Sequence, residues 1–201
     1  MKYLSSLPEN THLSDVFRQF PKGVYALLDY HDALLRGPSP LTIGERELLA
    51  AYVSGLNECE FCFGSHRTYA EAFGFDYGIF DALFEDVHAA PIDARMKPIL
   101  AYAKKLTKEP NKVIKDDVDA ILDAGWNDEA VHDTAVITGL FNLMNRIIFG
   151  LGVADHAEVF AGRHSDNQKK SQIGRLAENE KALGSKNYRA FGDKIGLKES
   201  S

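Results

Sequence analysis

The sequence predicts an all-α protein. Apolar residues recur at helical spacing through most of the chain up to residue 153, and no useful length alternates polar and apolar residues as a β-strand does. Two capping signals support this fold class: Thr42 is followed three residues later by Glu45, and Asn57 is followed three residues later by Glu60.

Each predicted helix follows from local signals. The first has apolar residues near helical spacing, ends at Gly37-Pro38 and covers residues 20–35. The second begins at the Thr42 cap and runs to about residue 56, and the third begins at the Asn57 cap and runs to about residue 73. The later helices are expected at residues 77–87, 93–106, 116–124 and 127–149.

The chain divides into one helical domain and a polar C-terminal segment. Residues 1–153, with a core at about 27–153, form the predicted domain, and residues 154–201 are a polar tail or an arm that wraps a partner subunit. Five apolar residues of the segment could dock such an arm: Ile173, Leu176, Tyr188, Phe191 and Ile195.

A short internal similarity suggests a degenerate helical repeat. Residues 51–56 (AYVSGL) resemble residues 135–140 (AVITGL), and Glu45 matches Glu129 at the same offset. Chance composition of helix-packing residues is the alternative explanation. If the repeat is real, the second copy is scaffold without chemistry.

Composition and charge exclude several classes of protein. Apolar residues make up 45% and charged residues 26%, as in ordinary globular domains, and the net charge of -6 argues against a dedicated nucleic-acid surface. The first residues contain no apolar run of signal-peptide length, and the longest apolar stretches fall far below the roughly 20 residues that span a bilayer. We therefore expect a cytoplasmic protein without a membrane partner.

The two cysteines are the first candidate functional residues. In a reducing compartment, a Cys-x-x-Cys pair is more naturally catalytic or metal-binding than structural. Cys59, Cys62 and His66 share one helical face, because they follow each other by three and four residues. The N–H groups and helix dipole of the first turn favour a thiolate at Cys59, and His66 can take a proton from a thiol.

Glu47 is the fourth candidate, on the preceding helix. Small residues on its side of that helix would allow close packing, and burial would raise the pKa of its carboxyl towards the working range of a proton acceptor. The alternative is a solvated charge in a first helical turn. Asn145 and Arg146 are further candidates. Arg146 lies in an apolar run, so we expect it to form an intersubunit or interhelix ion pair, with substrate contact as the second alternative.

The pattern Glu47-(11)-Cys59-x-x-Cys62-(3)-His66 resembles that of AhpD-like alkylhydroperoxidases, in the carboxymuconolactone decarboxylase superfamily. The flanking residues 39–47, 53–57 and 141–146 resemble its peroxidase-related branch. The resemblance covers about residues 27–153 and implies an all-helical homo-oligomer. It also implies that Cys62 attacks a hydroperoxide, Cys59 resolves the product, His66 and Glu47 relay protons, and an external dithiol is the reductant.

One position departs from this resemblance, and other functions remain open. Phe61 stands where the best-studied type of the family has a second histidine, so that relay member is absent. No haem, flavin or nicotinamide motif is present, and no bound cofactor is expected. The alternatives are a metal site formed by Cys59, Cys62 and His66 with a fourth ligand, a non-redox enzyme like the lactone decarboxylases, and a structural oligomer.

Overall fold

The computed structural model describes residues 3–170 and 187–197. Within these ranges the regular structure consists of ten α-helices and one 3-10 helix, without a β-strand, which confirms the all-α prediction. The helices are α1 (Leu13–Gln19), α2 (Val24–Arg36), α3 (Ile43–Leu56), α4 (Glu60–Ala72), α5 (Ile79–Glu85), α6 (Met96–Lys108), α7 (Lys115–Asp123), α8 (Asp128–Gly150), α9 (Ala157–Lys169) and α10 (Asn187–Lys194), and the 3-10 helix is Pro110–Lys112.

Helix α3 lies at the centre of the fold. Every residue from 48 to 54 is buried, as expected for a helix that is apolar on all sides and enclosed by others. Its main partners are α4 and α8. Because α3 is enclosed, the polar side chains of Glu47 and Ser54 are fully buried and need partners inside the protein.

The start of α3 was predicted correctly, whereas the start of α4 was not. Thr42 and Glu45 form the expected capping box. Asn57 does not cap α4; it is the C-cap residue of α3, and its amide donates to the Oδ1 atoms of Asn142 and Asn145, at 3.1 and 2.9 Å. The chain turns through Glu58, whose φ of 58° lies in the left-handed region, and Cys59 becomes the N-cap residue.

Three helices lie outside the predicted set. Helix α1 precedes the first predicted helix, and α9 and α10 belong to the C-terminal segment. Helix α9 packs against α4, and α10 packs against α2. Of the five residues expected to dock, Tyr188, Phe191 and Ile195 pack against the core, and Ile173 and Leu176 lie outside the described residues. Wrapping of a second subunit stays a prediction.

The two copies of the proposed internal repeat differ in their helices. In the first copy, α3 ends at Leu56 and α4 begins at Glu60. In the second, α8 continues unbroken from Asp128 to Gly150. The ancestral duplication stays a prediction.

Across the described parts of the chain, α8 and the other helices are too short or too polar to cross a membrane.

A pair of glycine variants tests the packing of α9 on α4. A Cβ atom at Gly64 would lie 2.4 Å from the ring of Phe160 on α9, whereas a Cβ atom at Gly139 would meet no atom within 4 Å. We expect Gly64→Ala to lower the free energy of unfolding by about 1–3 kcal/mol through overpacking. Gly139→Ala should raise it by up to about 1 kcal/mol through helix propensity. Denaturant unfolding checks both, and equal effects would contradict this packing.

Candidate active site

The two cysteines lie at the buried start of α4. Cys59 is the N-cap residue and Cys62 follows one turn later, with exposed fractions of 1% and 4%. Both are free thiols. A hydrogen bond between the two side chains is the largest effect on each: it lowers the pKa of Cys59 and raises the pKa of Cys62 well above its ordinary value. Burial raises the pKa of both cysteines. For Cys59 this effect is opposed by a further hydrogen bond from the backbone N–H of Cys62, which lowers its pKa.

These shifts give the thiols different properties. Cys59 holds the negative charge more readily, in agreement with the expected effect of the helix start, and Cys62 retains the shared proton. Because the two sulfurs are hydrogen-bonded, the pair titrates as one coupled unit. Ionisation of Cys62 therefore requires a proton acceptor other than Cys59.

Asn145 on α8 contacts the sulfur pair. Hydrogen bonds from its amide lower the pKa of both cysteines. The orientation of that amide is fixed, because its Oδ1 accepts from Asn57 at 2.9 Å and its Nδ2 donates to Ser54 at 3.2 Å. Asn145 was a candidate in the sequence, but its role depends on the packing of α8 against the turn before α4.

Replacement of Asn145 tests this role. We expect Asn145→Ala to raise the pH midpoint of thiol alkylation by about 1–2 units, since a hydrogen bond to a charged group contributes roughly 1.5–3 kcal/mol. Asn142→Ala is the matched control, because Asn142 lies one helical turn away on α8 and bonds to Asn57 and Thr107. Rates of iodoacetamide labelling against pH check the shift. An equal shift in both variants would assign it to a general loosening of α8.

Glu47 and His66 form a buried pair near the cysteines. Nδ1 of His66 lies 2.5 Å from Oε2 of Glu47, and the carboxylate is completely buried. Oε1 of Glu47 accepts a second bond at 2.5 Å from Arg36, whose side chain is 1% exposed. The structure therefore brings Glu47 and His66 together and adds Arg36, which the sequence analysis missed.

The expected raised pKa of Glu47 is wrong. Burial, the largest effect, raises the pKa of this carboxyl, but Arg36 and His66 together lower it below its ordinary value. The alternative of a solvated charge is also wrong. An ionised Glu47 must accept a proton at Nδ1 of His66, so the neutral imidazole has an unprotonated Nε2. The lowered pKa and the short contact therefore place Glu47 as an ionised partner that orients the ring of His66.

A cavity of about 210 Å³ gives access to part of this cluster. Cys62 and His66 line it, whereas Cys59 is not among the lining residues that the structure describes. Most of the wall is apolar or aromatic and comes from α1, α2, α4, α8, α9 and α10. A small molecule in the cavity would therefore meet Cys62 before Cys59.

Phe61 and several histidines complete the wall. The ring of Phe61 packs edge-on against those of His12 and His156, with centroids 5.3 and 6.0 Å away. On α2, Nδ1 of His31 lies 2.7 Å from the carbonyl oxygen of Leu27. Burial lowers the pKa of His31 to about 4, so this histidine is neutral.

Two other expectations concern metals and Arg146. Among residues 3–170 and 187–197, no group of three or more histidine, cysteine or acidic side chains is arranged to hold a metal ion. Within the described residues Arg146 forms no interhelix ion pair, and an ion pair with a second subunit stays a prediction. Its guanidinium donates to the carbonyl and the side-chain oxygen of Asn142, at 2.6 and 2.9 Å, on the exposed side of α8.

Comparison with solved structures supports the resemblance seen in the sequence. An uncharacterized peroxidase-related protein from Silicibacter sp. TM1040 is 27% identical with a TM-score of 0.66, over 73% of this chain and 76% of that chain. A structure from Ralstonia eutropha JMP134, described as an alkylhydroperoxidase AhpD core and an uncharacterized peroxidase-related protein, is 29% identical with a TM-score of 0.68, over 75% of this chain and 79% of that chain. No family model and no curated protein matches the chain.

Proposed function

We propose that this chain, an AhpD-like helical protein of the peroxidase-related branch, reduces hydroperoxides through a dithiol–disulfide cycle of Cys59 and Cys62. The observation that carries the proposal is the placement of Cys62 and His66 on one cavity, with Cys59 hydrogen-bonded to Cys62. The Glu47–Arg36 pair holds His66 in the tautomer that accepts a proton.

The first step oxidises Cys62. Its thiol gives a proton to Nε2 of His66, and the thiolate attacks the terminal oxygen of the hydroperoxide. The S–O bond forms as the O–O bond breaks, and the electron pair leaves on the other oxygen. That oxygen takes the proton from His66 and departs as an alcohol or water. Cys62 becomes a sulfenic acid.

The second step uses the lowered pKa of Cys59. Its thiolate attacks the sulfur of the Cys62 sulfenic acid, forms the disulfide and releases hydroxide, which is protonated to water. An external dithiol then reduces the disulfide by thiol–disulfide exchange. Cys62, which lines the cavity, therefore meets the hydroperoxide, and Cys59, whose pKa is lowered, resolves the sulfenic acid.

A turnover assay tests the proposal. Consumption of an organic hydroperoxide should require both the protein and a dithiol such as dithiothreitol, because a dithiol completes both exchange steps without a trapped mixed disulfide. A matched monothiol at equal thiol concentration should support less turnover. If the protein with dithiothreitol consumes the hydroperoxide no faster than dithiothreitol alone, the result would contradict the proposal and favour the non-redox or structural alternatives.

A further inference from the structure

One cationic side chain lies on the wall of the cavity that Cys62 lines. This is Arg163 on α9. Within the described residues the wall contains no aspartate, glutamate or lysine, and Arg163 is its one arginine. The chain as a whole is acidic, with a net charge of -6, so the charge of this wall is opposite to that of the protein. A cavity with such a wall favours an anion over a cation.

The guanidinium of Arg163 lies near two aromatic rings of the same wall. Its central carbon is 5.4 Å from the ring centroid of Phe160 and 5.8 Å from that of Tyr69. Cation–π attraction at such distances positions a guanidinium without using its N–H donors. Arg163 is exposed and also lines the cavity, so a molecule that enters from solvent can reach it.

No carboxylate neutralises Arg163 among the residues that the structure describes. Three acidic side chains of the helices around it contact other residues: Asp15 contacts Arg18 at 2.5 Å, Glu71 contacts His164 at 2.8 Å, and Glu158 contacts His156 at 3.8 Å. Burial is the main cause of the lowered pKa of His12 on the cavity wall, and the positive charge of Arg163 lowers it further. The charge of Arg163 therefore acts on the cavity.

The wall between Arg163 and the cysteine pair follows one face of α4. Cys62, His66 and Tyr69 follow each other by four and three residues, and all three line the cavity. The ring centroids of His66 and Tyr69 are 6.3 Å apart, and the guanidinium carbon is 5.8 Å from that of Tyr69. A molecule that contacts both Arg163 and Cys62 therefore needs an apolar body between its two reacting ends, and the aromatic wall suits such a body.

We propose that Arg163 binds a carboxylate and that the cavity therefore selects organic hydroperoxides that carry one over neutral hydroperoxides of similar shape. This inference rests on the proposed peroxidase function and adds its substrate class. The guanidinium donates two parallel hydrogen bonds to the carboxylate, the apolar body lies against the aromatic wall, and the peroxide group reaches Cys62.

A matched pair of hydroperoxides tests this selection. Cumene hydroperoxide with a para carboxylate and the methyl ester of that acid share the reacting group and differ in charge. In wild-type protein the second-order rate constant of thiol oxidation should be about 5- to 30-fold larger for the acid, the effect of one partly exposed charge-assisted contact. Arg163→Gln should reduce this ratio to about one. Arg163→Lys, which retains the charge but loses the fork of donors, should keep part of it.

Lys169→Gln is the matched control, because it removes one positive charge from the same helix outside the described cavity wall. Lys169 is exposed and contacts Asp166 at 3.1 Å. This variant should keep the wild-type ratio of the two rate constants. An equal loss of the ratio in Lys169→Gln and Arg163→Gln would assign the preference to the overall charge and overturn the role of Arg163.

Binding of a molecule without a peroxide separates this inference from the proposed function. By calorimetry, para-isopropylbenzoate should bind the wild-type protein more tightly than para-isopropylbenzamide, and Arg163→Gln should lose this difference. Equal binding of the two, or equal rates for the acid and the ester in wild-type protein that reduces both, would overturn the carboxylate preference alone. Selective binding of the benzoate by a protein that reacts with neither hydroperoxide would overturn the peroxidase function and leave the carboxylate site in place.

Discussion

Cys62→Ser should abolish the reaction with hydroperoxide, whereas Cys59→Ser should still react once and stop as a sulfenic acid on Cys62. The reason is access: Cys62 lines the cavity, whereas Cys59 is not among its described lining residues. The Cys59 variant lacks the thiol that condenses with the sulfenic acid, so the intermediate should accumulate. Dimedone labelling followed by mass spectrometry of the peptides identifies the oxidised residue.

The cysteine roles predicted by the resemblance would be reversed by one specific result. The lowered pKa of Cys59 gives it the larger thiolate fraction, which by itself favours Cys59 as the attacking group. The absence of Cys59 from the described cavity wall opposes that assignment. Dimedone labelling of Cys59 in the Cys62→Ser variant would show that thiolate fraction outweighs access in this site.

Glu47→Gln should slow peroxide reduction by about 10²- to 10⁴-fold, the range observed when a proton acceptor or its orienting carboxylate is lost. The amide no longer requires a proton at Nδ1 of His66, and Nε2 then loses its role as acceptor. The pH at which Cys62 becomes reactive should rise. Single-turnover rates measured against pH check both effects.

The same substitution should also destabilise the fold. It leaves the Arg36 guanidinium buried without its carboxylate, which typically costs about 3–5 kcal/mol. The double variant Arg36→Met, Glu47→Gln removes both charges and should recover much of the lost free energy of unfolding without recovering the rate. Recovery of the rate together with stability would show that Glu47 acts only through the fold. A wild-type pH profile in Glu47→Gln would reduce the relay to His66 alone.

Much of the candidate site was predictable because its residues follow one another closely in helices. Helical periodicity places Cys62 and His66 on one face of α4, and the structure places both on one cavity. Simple phasing could not place Glu47 relative to them, because the chain turns through Glu58 between α3 and α4. The resemblance to AhpD-like proteins supplied that relation.

The missed residues approach the site only through tertiary packing. Arg36 ends α2 and looks like an ordinary last-turn cation, yet it is buried against Glu47. Burial alone would have raised the pKa of Glu47, and the prediction had the wrong direction because it did not include the opposing effects of Arg36 and His66. Tyr188 lies in a polar, weakly periodic segment. It lines the cavity only because its helix, α10, docks on α2, and Asn187 at the start of α10 is 151 residues from Arg36 at the end of α2.

Oxidation by hydroperoxide should convert Cys59 and Cys62 into an intramolecular disulfide. Thiol titration and intact-mass analysis, before and after one equivalent of hydroperoxide, test it most directly. We expect the loss of both thiols, a mass decrease of two hydrogen atoms per chain, no covalent dimer, and full recovery with a dithiol. Two unreactive thiols, or crosslinks only between chains, would contradict it.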